Sequence, residues 1–170
     1  MYIKNNIPNL VSVLRRRPMA WARIRGSDIY PEIQGKVEFF QTNTGVIVSA
    51  KVVGLPQEKD KCKQPIFAFH IHSGERCAGN AEDPFAEAGM HDNPYGCPHP
   101  YHAGDMPPLF GAGGSAVLVF LTDRFNVKDI IGKTVIIHSS PDDFTSQPSG
   151  NSGMKIACGE IRRSFPTYPR

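Results

Sequence analysis

Apolar and polar positions along this chain change over with a period near two, in short runs broken by turn residues. Runs at 20–24, 33–41, 46–53, 115–121 and 156–161 alternate imperfectly but carry Val, Ile, Phe or Leu where a half-buried strand needs them. Asn43, Thr44 and Gly45 separate the second run from the third and read as a hairpin turn, with Val37, Phe39, Val46 and Val48 as core positions. The V-L-V-F-L stretch at 117–121 reads as core. Two further runs end in histidine, F-A-F-H-I-H at 67–72 and G-K-T-V-I-I-H at 132–138. Side chains on a strand alternate faces, so His70 and His72 share one side while Phe69 and Ile71 share the other. His138 alternates with Ile137 in the same sense. Both strands therefore offer imidazole opposite their core residues, and a site built on them lies outside the barrel, roofed by the segments 73–109 and 139–155, which read as long loops.

The predicted class is all-β, a sandwich or barrel, and the 15 prolines and 16 glycines of the chain support it. At 170 residues one sizeable core is expected, with no repeat or composition break to divide it. The predicted organisation is an N-terminal arm, 1–19, and one domain, 20–165. No apolar stretch approaches the roughly 20 residues of a membrane span. The net charge of +3 and pI of about 8.7 are mild and identify no partner. In the first 17 residues the apolar piece precedes the basic cluster, the reverse of a secretory signal, so a cytoplasmic location is favoured over export. Leu10, Val11 and Leu14 have helical spacing and predict a short amphipathic turn lying on the barrel. Arg15, Arg16 and Arg17, beside Pro18, read as a solvated boundary, and no nucleic-acid partner is expected.

The histidines change this picture. Five of the six lie between Phe67 and Asp105, and the sixth is His138. A soluble domain scatters its histidines, so this concentration argues for a site made of imidazole, with a metal as its reason. His99, His102 and Asp105 lie three apart among Pro98, Pro100 and Gly104, which suits a tight loop turning two imidazoles and a carboxylate toward one point. Nitrogen plus carboxylate donors in a tetrahedral cage suit zinc. Imidazoles alone, held open and near planar, suit copper(II). The chain offers one site of each kind, with His91 between them.

These residues resemble the copper/zinc superoxide dismutase family. The resemblance runs over about 20–162 and rests on F-H-I-H (69–72), H-D-N-P (91–94), H-A-G-D (102–105), G-K-T-V-I-I-H (132–138) and S-G-N-S-G-M-K-I-A-C-G (149–159), in that order. It implies an eight-stranded Greek-key β-barrel, copper at His70, His72, His91 and His138, and zinc at His91, His99, His102 and Asp105. His91 bridges the two metals in that reading. Only Pro100 and Tyr101 separate His99 from His102, a spacing closer to bacterial members than to animal ones. The implied activity is disproportionation of superoxide, with copper alternating between two oxidation states, His91 carrying a proton, and zinc holding His91 without redox change. A homodimer is compatible with the resemblance, which does not say which face would pair.

The resemblance also pairs Cys77 with Cys158 as an intrasubunit disulfide, and it gives Asp142 hydrogen bonds from one copper ligand and one zinc ligand. Asp143 is the neighbouring candidate, and Pro141-Asp142-Asp143 is also simply a good turn sequence. Cys62 and Cys97 have no counterpart in the family pattern. They can form a second bridge, stay free or exchange with Cys77, and a Cys97 thiolate two residues from His99 can compete for zinc; a small, partly buried thiol is the simpler reading. The main departure is Lys155, where the family carries arginine. The charge that draws an anion survives, whereas the guanidinium fork does not, so slower turnover is expected. The alternative to an enzyme is a non-catalytic copper/zinc-binding protein of the same fold. A zinc hydrolase using His91, His99, His102 and Asp105 fits less well, because that set leaves no open position for water.

Overall fold

The computed structural model describes residues 8–165. The first seven residues of the predicted arm, and the last five of the chain, lie outside the described residues. Eight strands carry the fold: β1 (Ala20–Gly26), β2 (Gln34–Thr42), β3 (Gly45–Val53), β4 (Ile66–His72), β5 (Asp105–Phe110), β6 (Ser115–Thr122), β7 (Thr134–His138) and β8 (Lys155–Arg163). They form one antiparallel sheet in the order β5-β4-β7-β8-β1-β2-β3-β6, and its two edge strands β5 and β6 approach each other, so the barrel is nearly closed. Non-sequential neighbours such as β4 beside β7 and β1 beside β8 follow from long connections crossing the barrel ends.

Alternation explains the packing. In β1, Ala20, Ala22 and Ile24 point inward while Arg23 and Arg25 stay exposed; in β2, Val37 and Phe39 fill the core. Phe39, Phe67 and Phe69 are fully buried in the main cluster, each contributing about 1.5–3 kcal/mol of transfer free energy. Thr42 pairs with Gly45 around Asn43 and Thr44, closing the expected hairpin.

Two local readings are corrected. The segment 73–109 is not all loop: β5 begins at Asp105 and pairs with β4 from His70 to Ile66. Its sequence D-M-P-P-L-F hides a strand because proline cannot donate to a ladder, and it is tolerated because β5 is an edge. The short helix α1 (Leu10–Leu14) forms, capped by Asn9, yet Leu10, Val11 and Leu14 face solvent. Val13 is the anchor, packed with Phe40 and Ile47 on the outside of β2 and β3. A one-turn helix α2 (Val127–Ile130) plugs the barrel end with buried Val127 and Ile130.

Cys77 and Cys158 are joined, with Cα atoms 5.6 Å apart, so the segment after β4 is tethered to β8 beside Phe85, Ala88 and Ile136. Cys62 is exposed and Cys97 half-buried; neither is bridged. Cys97 instead uses its backbone, exchanging hydrogen bonds with the Asn93 side chain at 2.8 and 2.9 Å.

Candidate metal centre

The register places the histidines. On β4, Phe69 and Ile71 enter the core, and His70 and His72 leave from the opposite side, opposite Ile136 and Thr134 of β7. A bulge after Ile137 turns His138 toward them. The loop carrying His91 is stitched to β4 by an isolated bridge, His72 to His91, and by Asp92 N–H donating to the Ile71 carbonyl. Gly104 completes the seam, donating to the Asp92 carbonyl and accepting from Ile71 N–H. A Cβ on Gly104 would overlap the Ile71 carbonyl, which is why H-A-G-D needs its glycine.

Two groups of donors result. Atoms of His70, His72, His91 and His138 lie within 4.8 Å of one another, as do those of His91, His99, His102 and Asp105, and all seven residues are buried. Among the described residues these are the two groups able to hold a metal ion. The structure brings together all four residues of each predicted set.

The ring nitrogens fit metal ions rather than one another. His72 Nδ1 faces the Gly89 carbonyl at 2.8 Å and His138 Nδ1 faces the Gly153 carbonyl at 3.3 Å, so both donate there. Their Nε2 atoms then meet lone pair to lone pair at 3.2 Å, a repulsive arrangement that a cation between them would resolve. His70 Nε2 donates to Asp142 Oδ2 at 2.8 Å, while its buried Nδ1 has no hydrogen bond. His91 Nδ1 lies 2.7 Å from Asp105 Oδ1 and its buried Nε2 has none, so the two nitrogens of one ring face the two groups. His99 Nδ1 stands 3.1 Å from Asp105 Oδ2 without hydrogen-bond geometry. The atoms that face the two groups are therefore Nδ1 of His70 and Nε2 of His72, His91 and His138 on one side, and Nδ1 of His91, His99 and His102 with the Asp105 carboxylate on the other. The first set fits copper and the second zinc.

Burial favours the neutral form of His70, His72 and His138. Burial lowers the pKa of His70, and lowers His72 and His138 further, the last to about 3; neighbouring imidazoles push the same way. Burial would raise the Asp105 and Asp142 carboxyls, but hydrogen bonds from His91 to the first and from His70, Phe144 N–H and His99 to the second outweigh it, and Asp142 falls to about 2.

Asp142 joins the groups. Its Oδ2 holds His70 and its Oδ1 accepts from His99 Nε2 at 2.9 Å, so one buried carboxylate orients a ring of each set. Asp143, the other candidate, is exposed and organises its own loop instead, accepting from Thr145, Ser146 and Asn151. Lys155 Nζ donates to Asp83 Oδ2 at 2.7 Å and to the Phe85 carbonyl at 3.1 Å.

Three supporting residues escaped the sequence reading, and a fourth, Gly150, stands inside the quoted 149–159 motif with no role assigned to it. Arg124 Nη1 donates to the carbonyls of Pro100 and His102 at 2.7 and 3.2 Å, clamping the loop that carries His99 and His102. Gln147 brackets His99, accepting from its N–H at 3.0 Å and donating to its carbonyl at 2.7 Å. Gly150, at φ +67°, packs against Asp142 and His99 where a Cβ would collide with both. Asp83 holds Lys155. Arg124, Gln147 and Asp83 act on partners 22, 48 and 72 residues away, so no local pattern marks them.

His72, His91 and His138 open into a cavity of about 230 Å³ that Lys155 also lines. A larger groove, about 610 Å³, lies beside the disulfide on the outer faces of β1 and β8 and contains none of the histidines. The chemistry belongs to the smaller one.

The family model described as copper/zinc superoxide dismutase (SODC) matches residues 33–161. The chain is 37% identical over 146 residues to "Superoxide dismutase [Cu-Zn] 2" of Aquifex aeolicus, covering 77% of this chain and 80% of that protein. It is 32% identical over 140 residues to "Superoxide dismutase [Cu-Zn]" of Legionella pneumophila, covering 78% and 80%. The structure of a Cu/Zn superoxide dismutase from Brucella abortus superposes with a TM-score of 0.69 at 21% identity, over 83% of this chain and 98% of that one, a likeness of fold.

Proposed function

The chain belongs to the copper/zinc superoxide dismutase family, and we propose from that premise that His70, His72, His91 and His138 hold copper and that His91, His99, His102 and Asp105 hold zinc. The activity is superoxide dismutation: two superoxide anions and two protons give dioxygen and hydrogen peroxide. The observation that carries the assignment is His91, whose two ring nitrogens face separate donor sets. Copper bound there supplies one-electron redox chemistry, and zinc supplies a fixed positive charge.

The chain's own residues supply the rest. Lys155 lines the cavity above His72, His91 and His138 and draws the anion inward; electrostatic steering, of which this enzyme family is a known example, acts through such cations. Asp83 and the Phe85 carbonyl fix where its ammonium stands. His91 Nδ1 is held on the Asp105 side, so Nε2 is the atom that takes up a proton and returns it toward the cavity. Asp142 keeps His70 and His99 in register while that proton moves. Complete donor sets and a cation in the cavity weigh against a non-catalytic metal binder.

We read residues 20–165 as the catalytic domain and 1–19 as an arm. The proposal extends to a homodimer, supported by exposed Val117 and Leu121 on the edge strand β6, and to no nucleic-acid partner. Sedimentation with and without duplex DNA reads both. The functional test is superoxide decay by pulse radiolysis with protein reconstituted with copper and zinc. A rate far above that of His70→Ala is expected; equal rates with copper bound would overturn the assignment.

A further inference from the structure

The rim of the catalytic cavity carries two methionines. Met90 is 57% exposed and Met154 60% exposed, and both line the cavity that opens onto His72, His91 and His138. Met19 and Met106 do not line it, and Met106 is buried. Neither rim methionine packs into a core, yet both backbones are fixed. The Met90 carbonyl accepts from Ser73 N–H at 2.9 Å, and Met154 N–H donates to Ser139 Oγ at 3.0 Å. Single exposed apolar side chains are ordinary. Two methionines on fixed backbone line the same cavity as three imidazoles, and together their thioethers offer a donor pair.

We propose that Met90 and Met154 form a docking site for copper(I) at the mouth of the cavity, from which the ion passes to the imidazoles below. This rests on the reading of His70, His72, His91 and His138 as the copper centre. Thioethers are soft donors that suit copper(I), whereas copper(II) favours nitrogen and oxygen donors. The rim also favours a cation. Its charged side chains are Glu82, Asp83 and Lys155, and Asp83 is paired with Lys155, which leaves Glu82 in excess. The hand-over is ligand exchange. Copper–sulfur bonds break as copper–nitrogen bonds form at His72 Nε2 and His138 Nε2, whose Nδ1 protons are already committed to the Gly89 and Gly153 carbonyls. No electron moves and no proton must leave. His70, fully buried, lies behind the three that line the cavity, so the ion arrives from the methionine side.

The test presents anaerobic copper(I)–bicinchoninate to full-length, zinc-loaded, copper-free protein and follows loss of the chromophore by stopped flow. Leucine is close to methionine in volume and cannot ligate, so Met90→Leu/Met154→Leu keeps the rim apolar. Transfer of copper(I) to the double variant is expected to slow at least about tenfold, with uptake from copper(II)–glycine unchanged. Equal copper(I) rates in the two proteins would overturn the docking site, as would equal slowing for both oxidation states, which marks a general disturbance of the rim. Failure of the unsubstituted protein to take copper(II) into its imidazoles would overturn the copper centre and the docking site together.

Discussion

At the scale of single residues the decisive fact is what each buried nitrogen faces. Lys155 is held by two acceptors of the disulfide-linked segment rather than left mobile, so part of the positioning that the arginine fork would supply comes from Asp83 and the Phe85 carbonyl. Removing that charge with Lys155→Met is expected to lower kcat/KM about tenfold, since steering by local charge is worth at least that in on-rate. The ionic-strength dependence should flatten with it. Lys155→Arg should raise kcat/KM, because a fork satisfies both acceptors and still points an N–H into the cavity; pulse radiolysis at two salt concentrations reads both variants. Asp142→Ala leaves His70 Nε2 and His99 Nε2 without their acceptor. Losing such an outer partner typically costs about 10–100-fold in metal affinity, and competition with a chromogenic chelator should show that loss for zinc. Lys155 and the proposed ligands were legible because their residue types are rare and their offsets fixed; Arg124 and Asp83 were not, because their partners lie 22 and 72 residues away.

At the scale of elements, the strands with regular alternation were legible and the irregular ones were not. β5 is masked by Pro107 and Pro108, and only its place at the sheet edge makes it a strand. In α1 the helical spacing was right but the buried face was not, since Val13 alone meets Phe40 and Ile47. The connection between β7 and β8 is held by its own hydrogen bonds around Asp143 and by close contact at Gly150. Gly150→Ala adds a Cβ where Asp142 and His99 already stand, at a φ that disfavours any side chain. The Asp142 bridge must open. Zinc affinity is expected to drop as in Asp142→Ala, measured by the same competition, while far-UV circular dichroism stays that of the barrel.

For the whole molecule, the site charges the fold a stability cost that metals offset. In the metal-free protein His138 titrates at about 3 rather than the usual 6.5. Below pH 6.5 the unfolded chain takes up a proton that the folded site refuses, so the stability is present above 6.5 and is lost as pH falls toward 3. His70 and His72 are lowered by the same burial and add to the slope, about 1.4 kcal/mol per pH unit for each such group across its window. Asp142 extends the loss from 3.8 down to about 2. Urea unfolding of the metal-free protein between pH 7 and 4 should show a falling midpoint. Restoring zinc and copper at neutral pH should raise Tm in proportion to the logarithm of free metal over its Kd.

The sequence by itself determined the all-β class, seven of the eight strands, the two clustered donor sets and the identity of the exceptional residue, Lys155. Those features are written in spacing: period two on a strand, three between His99, His102 and Asp105. Tertiary structure alone decided which ring nitrogen each histidine turns to its group, what holds Lys155, and that two distant methionines share one rim. The physical reason is range. Periodicity acts over a few residues of backbone, whereas a buried imidazole is oriented by whatever donor or acceptor the fold brings within 3 Å, and the chain distance to that partner carries no local mark.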